Sequence, residues 1–417
     1  MLRLHNERTG DLEAFRPLGE AATIYVCGIT PYDTTHLGHA FTYLSFDALI
    51  RYWEYLGYLV RYVQNVTDID DDILRKAREV GDDWRALGNR WTRHFIEDMI
   101  ALNVRPPDVY PRATDVIPQM HRAIQALLDK GLAYEANGNV YFRVTADPRF
   151  GQVSHLPEAK WLPIANERGN IPDDPNKQDP LDFVLWQAQK PGEPAWDSPW
   201  GKGRPGWHIE CSTMAQEYLG DIIDVHGGGR DLGFPHHECE TAQACGVTGC
   251  EFFASFWLHT AMVCYQGEKM SKSLGNLIWA RDLLEAHSAD AVRLLVHAHP
   301  YHETWEYMDA DLEPADRLAA RLLEAATVAS GTGPVLDTAG DVAAFEAAMD
   351  ANLDTRAAVE ALGEFADRIV AAAALGRDVR AAQSALRRLG AVLGLRFDGD
   401  IEPRVREGWD KHYRRFI

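Results

Sequence analysis

The chain carries an early apolar and β-branched run, Thr23-Ile24-Tyr25-Val26-Cys27, which Gly28 ends. Such a run is typical of a strand buried in a parallel sheet. A helical pattern through Trp53 follows, and a second strand pattern lies at residues 59–64. Strand, helix and strand in this order predict a βαβ unit, and therefore an α/β fold with a doubly wound sheet.

The rest of the chain divides by composition. Residues 84–133 show helical spacing, and residues 140–144, 222–225 and 256–258 show strand patterns. Residues 145–206 are rich in Pro, Gly, Asp and Trp, which predicts an insertion dominated by loops. The last part of the chain is rich in Ala, Leu and Arg at amphipathic spacing, which predicts helices.

Length, charge and cysteine usage limit the function. A chain of 417 residues with 46% hydrophobic residues predicts about two or three domains. The sequence contains no run of about 18 apolar residues and no signal-peptide core, so we expect no membrane span. The net charge of −20 at pH 7 disfavours a nucleic-acid binder, although a local basic strip can still contact RNA. Five of the six cysteines lie between residues 211 and 264, which indicates reduced thiols or metal ligands in the cytoplasm.

A first candidate motif, Thr35-His36-Leu37-Gly38-His39, lies between a predicted strand and a helix. Gly38 allows a backbone to approach a ligand closely, and a helix N-terminus attracts phosphate. His36 and His39 are three residues apart, so they share one helical face and can donate to a transferring phosphate. Taken alone, the motif also fits two surface histidines.

A second candidate motif is Lys269-Met270-Ser271-Lys272-Ser273-Leu274-Gly275-Asn276. Its lysines and hydroxyls suit a mobile loop that neutralises charge on leaving pyrophosphate. The two motifs lie in this order, more than 200 residues apart. Together they resemble the HIGH and KMSKS motifs of class I aminoacyl-tRNA synthetases, and the resemblance runs from about residue 20 to about residue 300.

Four dispersed residues form a candidate metal site: Cys27, Cys211, His236 and Glu240. His236 and Glu240 are four residues apart, so on a helix they face the same side. Two thiolates, an imidazole and a carboxylate suit zinc, although buried cysteines and a helix cap would explain the same residues. The resemblance favours zinc, because these positions are similar to the zinc ligands of cysteinyl-tRNA synthetases. One zinc per chain would then select the thiol of cysteine over the hydroxyl of serine.

The resemblance implies ATP-dependent activation of L-cysteine on a Rossmann-like core, with Mg²⁺ accompanying ATP. It implies catalytic roles for His36, His39, Lys269 and Lys272. The implied contacts to nucleotide and cysteinyl-adenylate are Thr30, Gly38, Thr42, Asn65, Val66, Thr67, Trp207, Gly229, Arg230, Asp231, Val263, Ser271 and Ser273. It also implies four segments: residues 1–115 as the first half of the catalytic domain, 116–205 as a connective insertion, 206–282 as the second half with zinc and the KMSKS loop, and 283–417 as a helical C-terminal domain that lacks a full anticodon-binding module.

The acceptor of the cysteinyl group is the open question, because two related families share this core. Cysteinyl-tRNA synthetases use tRNA-Cys, and the amino-sugar ligases of mycothiol biosynthesis use the amine of glucosaminyl-inositol. The sequences Ile29-Thr30-Pro31 and Glu167-Arg168-Gly169, and the short C-terminal region, resemble the amino-sugar ligases. Glu240 and the run 273–276 resemble the synthetases.

We therefore predict a monomeric cysteine:glucosaminyl-inositol ligase, with cysteine--tRNA ligase as the alternative. Transfer to a carrier protein and an inactive zinc-binding paralogue are two further alternatives. Cysteine-dependent exchange between ATP and pyrophosphate separates the active enzymes from the inactive paralogue, because only activation of cysteine makes the exchange possible.

Overall fold

The computed structural model describes residues 1–270, 274–397 and 399–417. Within these residues the strands are β1 (Arg3–Asn6), β2 (Asp11–Ala14), β3 (Ala21–Ile29), β4 (Leu59–Val66), β5 (Ala133–Ala136), β6 (Asn139–Phe142), β7 (Phe183–Ala188), β8 (Gly203–Pro205), β9 (Ile223–Gly229), β10 (Ala254–Thr260), β11 (Val263–Tyr265), β12 (Glu268–Lys269) and β13 (Trp305–Glu306). The helices are α1 (Leu37–Tyr55), α2 (Asp71–Val80), α3 (Trp84–Ala101), α4 (Ile117–Asp129), α5 (Trp161–Glu167), α6 (Trp207–Leu219), α7 (Glu238–Thr248), α8 (Ala280–Ala286), α9 (Ala289–His297), α10 (Leu312–Thr327), α11 (Ala339–Asp350), α12 (Thr355–Ala374), α13 (Arg380–Val392) and α14 (Pro403–Tyr413). None of the described helices is both long and apolar enough to cross a membrane.

A parallel sheet with the strand order β10-β9-β3-β4 forms the centre of the molecule. The first βαβ unit, β3-α1-β4, builds one half of this sheet, and the chain returns to the other side of β3 to form β9 and β10. The direction of winding therefore changes between β3 and β9, and in open α/β sheets ligands bind at such a switch point. The predicted α/β fold with a doubly wound sheet is confirmed.

The two faces of this sheet belong to different cores. Ile24 and Val26 of β3 pack in a core that extends to α1, α9 and the C-terminal helices. Tyr25 and Cys27 alternate with them and pack in a second core, formed with α4, α6, α7 and the strands β6 and β7. This alternation follows from the two-residue period of a strand, and it directs the Cys27 thiol towards α6 and α7.

The insertion contains an antiparallel sheet with the order β5-β6-β7-β8, of which β6 overlaps the strand predicted at residues 140–144, whereas β7 and β8 lie in the segment predicted to be loops. The run that forms β7, Phe-Val-Leu-Trp-Gln-Ala, lies between stretches rich in Pro, Gly and Asp. Residues 145–206 are therefore mostly loop, as predicted, but their average composition conceals the helix α5 and the strands β7 and β8.

The helical pattern predicted over residues 84–133 is interrupted. Helix α3 ends before Arg105-Pro106-Pro107, where proline removes backbone donors and prevents helix continuation. The chain then runs beside β4, where Val109 and Arg112 form isolated bridges with Val63 and Val66, and it becomes helical again in α4.

A buried ionic cluster joins α1 to α9 and to the end of α13. The Asp47 carboxylate accepts hydrogen bonds from Arg293 and, at 2.9 Å, from Arg51 Nε. It also accepts the backbone N–H of Arg105 at 2.8 Å. Arg293 donates further to the carbonyls of Leu102 and Leu393, so one side chain connects three distant segments.

We expect Asp47→Ala to lower the free energy of unfolding by about 3–5 kcal/mol, because the buried guanidinium of Arg293 loses its carboxylate partner and Arg51 keeps only its pair with Glu402. Urea unfolding followed by circular dichroism measures this loss. The matched control is Asp367→Ala, which breaks the exposed pair between Asp367 and Arg321 and should cost about 1 kcal/mol or less. Equal losses in the two variants would contradict the role of the buried cluster.

Candidate active site and metal centre

The four predicted metal ligands converge at the switch point of the parallel sheet. Cys27 lies near the end of β3, Cys211 in α6, and Glu240 in the first turn of α7. His236 precedes α7 in a short helical segment, Gly233–His237. All four side chains are buried, and one ligand atom from each lies within 4.8 Å of the others.

The geometry of this group fits a tetrahedral metal ion. Glu240 Oε1 lies 3.6 Å from Cys27 Sγ and 3.1 Å from His236 Nε2. Zinc bonds of about 2.0–2.3 Å in a tetrahedron place ligand atoms about 3–4 Å apart. The donor set of two sulfurs, one nitrogen and one oxygen is also one that zinc accepts. The residues present therefore fit the metal that the sequence predicted.

Burial and neighbouring charges set the protonation of the ligands. Burial opposes ionisation of Cys211, but hydrogen bonds from Cys27 and His236 lower the pKa of its thiol below the usual value of a cysteine. Burial also opposes ionisation of Glu240, and His226 with His236 outweighs it and lowers the pKa of this carboxyl to about 2. Burial, together with Cys211 and Glu240, raises the pKa of the Cys27 thiol. The two lowered pKa values favour the anionic forms of Cys211 and Glu240, which are the forms that bind a metal ion.

A ring of further histidines surrounds the four ligands, and the sequence analysis did not identify it. His226 Nε2 lies 2.8 Å from Glu240 Oε2, which leaves Oε1 facing the other ligands. His208 Nδ1 lies 2.8 Å from His236 Nδ1. His237 contacts Cys27 Sγ at 3.4 Å and His259 Nε2 at 2.7 Å. Such outer contacts orient metal ligands and fix which nitrogen is available.

Two local signals could have identified part of this ring. His208 lies three residues before Cys211, which is one helical turn, and His237 directly follows His236. His226 and His259 carry no such signal, because they reach the site from separate strands, β9 and β10. Cys27, His226 and His237 also form a second group of potential ligand atoms, which shares Cys27 with the first.

The first histidine motif forms the N-terminus of α1. His36 is the N-cap residue, and its Nδ1 accepts the backbone N–H of His39 at 3.3 Å. The two rings stack with centroids 3.8 Å apart. A side chain at Gly38 would lie 3.0 Å from the His36 ring, so glycine keeps this approach open. A helix N-terminus with two imidazoles is a suitable place for phosphate.

Asn65 and Thr67, two of the predicted contacts to nucleotide and cysteinyl-adenylate, form hydrogen bonds within the protein at the ends of β3 and β4. Asn65 Oδ1 accepts the backbone N–H of Gly28 at 2.7 Å, and Asn65 Nδ2 donates to Thr67 Oγ1 at 3.2 Å. A side chain at Gly28 would lie 1.6 Å from the carbonyl oxygen of Asn65. The pairing of β3 with β4 shifts register at this point, next to Cys27.

The remaining predicted contacts to nucleotide and cysteinyl-adenylate differ in their burial and in their partners within the protein. Trp207 stacks on His236 with ring centroids 4.1 Å apart, and Thr42 Oγ1 lies 2.8 Å from Thr260 Oγ1. Val66 and Val263 are buried, and Thr30 borders a cavity of about 820 Å³ that the insertion also lines. Arg230 is half exposed and contacts Glu7 and the carbonyl of His302.

The glycine-rich end of β9 leads to a second polar cluster. A side chain at Gly229 would lie 2.7 Å from Asp231 Oδ1. Asp231 Oδ2 is 3.1 Å from Lys269 Nζ, the first residue of the KMSKS motif. Arg168 of the insertion donates to the carbonyl of Asp231 at 2.9 Å, so this residue connects the insertion with the motif. Ser271, Lys272 and Ser273 lie outside the described residues.

Comparison with solved structures defines the class of fold. Methionyl-tRNA synthetase from Mycobacterium tuberculosis, solved with methionyl-adenylate, has a TM-score of 0.61 over 90% of both chains at 16% identity. Leucyl-tRNA synthetase from Agrobacterium radiobacter K84 has a TM-score of 0.64 over 95% of this chain and 86% of the other at 12% identity. The fold is that of the class I aminoacyl-tRNA synthetases.

The chain belongs to the family described as tRNA synthetases class I (C) catalytic domain, which matches residues 15–317. An L-cysteine:1D-myo-inositol 2-amino-2-deoxy-α-D-glucopyranoside ligase from Thermomonospora curvata is 45% identical over 396 residues, 94% of each chain. A cysteine--tRNA ligase from Dehalococcoides mccartyi is 42% identical over 400 residues, 94% of this chain and 86% of that protein. The family predicted from the sequence is confirmed.

We expect Gly28→Ala to lower the free energy of unfolding by about 2 kcal/mol or more, because the added carbon would overlap the Asn65 carbonyl and separate β3 from β4. Urea unfolding measures the effect. Gly19→Ala is the control, because no heavy atom outside its immediate chain neighbours lies within 4 Å of the added carbon. A Gly28→Ala protein as stable as the control would contradict the close approach of the two strands.

Proposed function

We propose that this protein activates L-cysteine with ATP and transfers the cysteinyl group to the amine of glucosaminyl-inositol. The observation that carries the proposal is the buried group of Cys27, Cys211, His236 and Glu240 at the switch point of a class I synthetase sheet. The relatives named as cysteine:amino-sugar ligases support the choice of acceptor, because one of them aligns with 94% of the chain at 45% identity.

Zinc bound by these four residues would supply a soft Lewis acid that favours the thiol of cysteine over the hydroxyl of serine. The protein holds the ligands in place through His226 and His208, which contact Glu240 and His236. Trp207 stacks on His236 and covers one side of the group. The thiol of cysteine would thus bind at a buried group of ligands that hydrogen bonds hold in place.

In the activation step, the carboxylate of cysteine attacks the α-phosphorus of ATP, and pyrophosphate leaves. His36 and His39 at the start of α1 stabilise the charge on one side of the triphosphate, and Mg²⁺ accompanies it. Lys269 acts from the other side, together with Lys272. The roles of Lys272, Ser271 and Ser273 remain predictions from the KMSKS resemblance.

Lys269 has to exchange partners during this step. Its ammonium group contacts Asp231 in this structure, at 3.1 Å. The triphosphate carries more negative charge than a single carboxylate, so ATP competes for the same ammonium. Asp231 is then released towards the ribose hydroxyls, which is the contact that the family resemblance implies for it.

The second candidate function is charging of tRNA-Cys. Glu240 favours it, because it lies within the ligand group and completes the donor set predicted for cysteinyl-tRNA synthetases. The cysteine--tRNA ligase from Dehalococcoides mccartyi also aligns with 94% of the chain. Both candidates share the activation step and differ in the group that attacks cysteinyl-adenylate.

A labelling experiment tests the acceptor. The enzyme, ATP and labelled cysteine are incubated with glucosaminyl-inositol or with total tRNA, and the products are separated. We expect the label on glucosaminyl-inositol and the release of one unlabelled AMP for each amide formed, because transfer consumes one cysteinyl-adenylate. Label on tRNA alone would overturn the amino-sugar proposal and support the second candidate.

We expect Cys211→Ser to lose stoichiometric zinc and to reduce kcat/KM for cysteine by about 100-fold or more, because a hydroxyl is a poor zinc ligand. Metal analysis of the purified protein and ATP–pyrophosphate exchange measure the two effects. Cys264→Ser is the control, because it makes the same atomic change outside the ligand group. A Cys211→Ser protein with normal zinc and normal exchange would remove the metal from cysteine recognition.

A further inference from the structure

Two cysteines outside the ligand group lie in contact at the C-terminal end of α7. The sulfurs of Cys245 and Cys250 are 3.3 Å apart, and the two thiols share a hydrogen bond. Both cysteines are free in this structure. Neither belongs to a group of potential metal ligands in the described part of the chain. Activation and transfer of the cysteinyl group therefore give this pair of thiols no role.

The backbone turn after α7 brings the two thiols together. The helix ends at Thr248, and Gly249 follows with a φ of +80°, in the left-handed conformation that glycine adopts readily. Its backbone N–H donates to the carbonyl of Cys245 at 2.8 Å. The backbone N–H of Cys250 then donates to Thr248 Oγ1 at 3.2 Å. These two hydrogen bonds hold Cys250 against the last turn of the helix, so the contact between the sulfurs follows from the local sequence.

The surroundings of the two thiols differ. Cys245 is buried in the core that α7 shares with the insertion, whereas Cys250 is partly exposed at the edge of this core. Arg149 of the insertion donates to the carbonyl of Cys250 at 2.9 Å, which places a guanidinium near this thiol.

These surroundings separate the acidities of the two thiols. The shared hydrogen bond, with Thr248 and Arg149, lowers the pKa of the Cys250 thiol, although partial burial opposes the shift. The same hydrogen bond, together with burial, raises the pKa of Cys245. A thiolate is the nucleophilic form of cysteine, so Cys250 is the thiol that reacts first.

The other four cysteines lack this combination of features. Cys27 and Cys211 belong to the candidate zinc site, and Cys239 is buried. Cys264 is partly exposed, but within the described part of the chain it forms no hydrogen bond with another thiol. Outside the zinc site, the pair at the end of α7 therefore joins an accessible thiol to a second thiol that can displace whatever binds to it.

We propose that Cys245 and Cys250 form a thiol–disulfide exchange site that reacts with low-molecular-weight disulfides and closes to an internal disulfide. The Cys250 thiolate attacks one sulfur of the small disulfide, and the first small thiolate leaves. Cys245 then attacks the Cys250 sulfur of this mixed disulfide, and the second small thiolate leaves. The two protein thiols are oxidised by two electrons, the small disulfide is reduced to two thiols, and these thiols take up the two protons.

Closure of the disulfide needs only a small movement. A sulfur–sulfur bond is about 2.0 Å long, so the two sulfurs have to approach by about 1 Å. The side chain of Cys250 makes this movement, because Cys245 is held in a packed core. Glu240 lies in the first turn of α7, and Cys245 lies near the other end of the helix. The zinc ligands therefore keep their positions, and the oxidised protein keeps its ability to activate cysteine.

The test uses cystine as the small disulfide. Reduced full-length protein is incubated with cystine, treated with iodoacetamide and cleaved after glutamate. The peptide 241–251 then contains Cys245 and Cys250 and no other cysteine. We expect this peptide to lack two hydrogens and to escape alkylation, with two molecules of cysteine released for each disulfide. Dithiothreitol should restore both thiols.

Variants separate the roles of the two thiols. Cys245→Ser should stop at the mixed disulfide, so its peptide 241–251 carries one added half-cystine. Cys250→Ser should consume cystine at least about tenfold more slowly, because it removes the accessible thiolate. Cys264→Ser is the matched control, since it removes a partly exposed thiol elsewhere and should leave disulfide formation unchanged. Circular dichroism checks that each variant folds.

Three results would overturn this assignment. The first is alkylation of both thiols of wild-type peptide 241–251 after treatment with cystine, and the second is a lasting adduct at Cys250 without an internal disulfide. The third is loss of ATP–pyrophosphate exchange on oxidation that dithiothreitol reverses, which would show that the disulfide disturbs the zinc ligands. Failure of the proposed function is distinguishable, because reduced wild-type protein would then show no cysteine-dependent exchange while the peptide still forms its disulfide.

Discussion

The interaction on which the rest of the site depends is that of one buried carboxylate with two imidazoles. Glu240 is fully enclosed, and a charge in that position is stable only with partners. His226 Nε2 contacts Glu240 Oε2, and His236 Nε2 contacts Glu240 Oε1. The second oxygen, Oε1, also faces the thiol of Cys27. Because His226 lies on β9 and Cys27 on β3, this contact requires the two strands to be neighbours. The ligand group can therefore form only when β3 and β9 are neighbours in the sheet.

The parts of the structure that could be predicted from the sequence are those with a local pattern. The run ending at Cys27, the two histidines around Gly38 and the order of strand, helix and strand each occupy a few adjacent residues, and the fold follows from them. The four dispersed ligands could be selected only through a family resemblance, because nothing in their spacing shows that three separate segments meet. The role of each site residue and the borders of the domains stay predictions.

Other features depend on contacts between distant segments, which composition does not report. The strands β7 and β8 of the insertion were missed because they are short and lie among residues typical of loops. His259 and His226 were missed because each is the only histidine on its strand, so no local spacing connects either of them to the ligands. The contact of Arg168 with Asp231 joins residues 63 positions apart, and no local pattern predicts it. Such pairs can be identified only from the three-dimensional structure.

The buried guanidinium of Arg293 connects the C-terminal helices to the helix that packs on the central sheet. It joins α1, the end of α3 and the end of α13 inside an apolar core, where its bonds cannot be exchanged for water. The C-terminal helices and the central sheet are thereby locked as one body. On the opposite layer, the insertion is held in part by ion pairs that water can reach, such as Arg168 with Asp231. The strands β6 and β7 of the insertion also share a buried apolar core with Tyr25 and Cys27, so the insertion and the metal ligands belong to one packed layer.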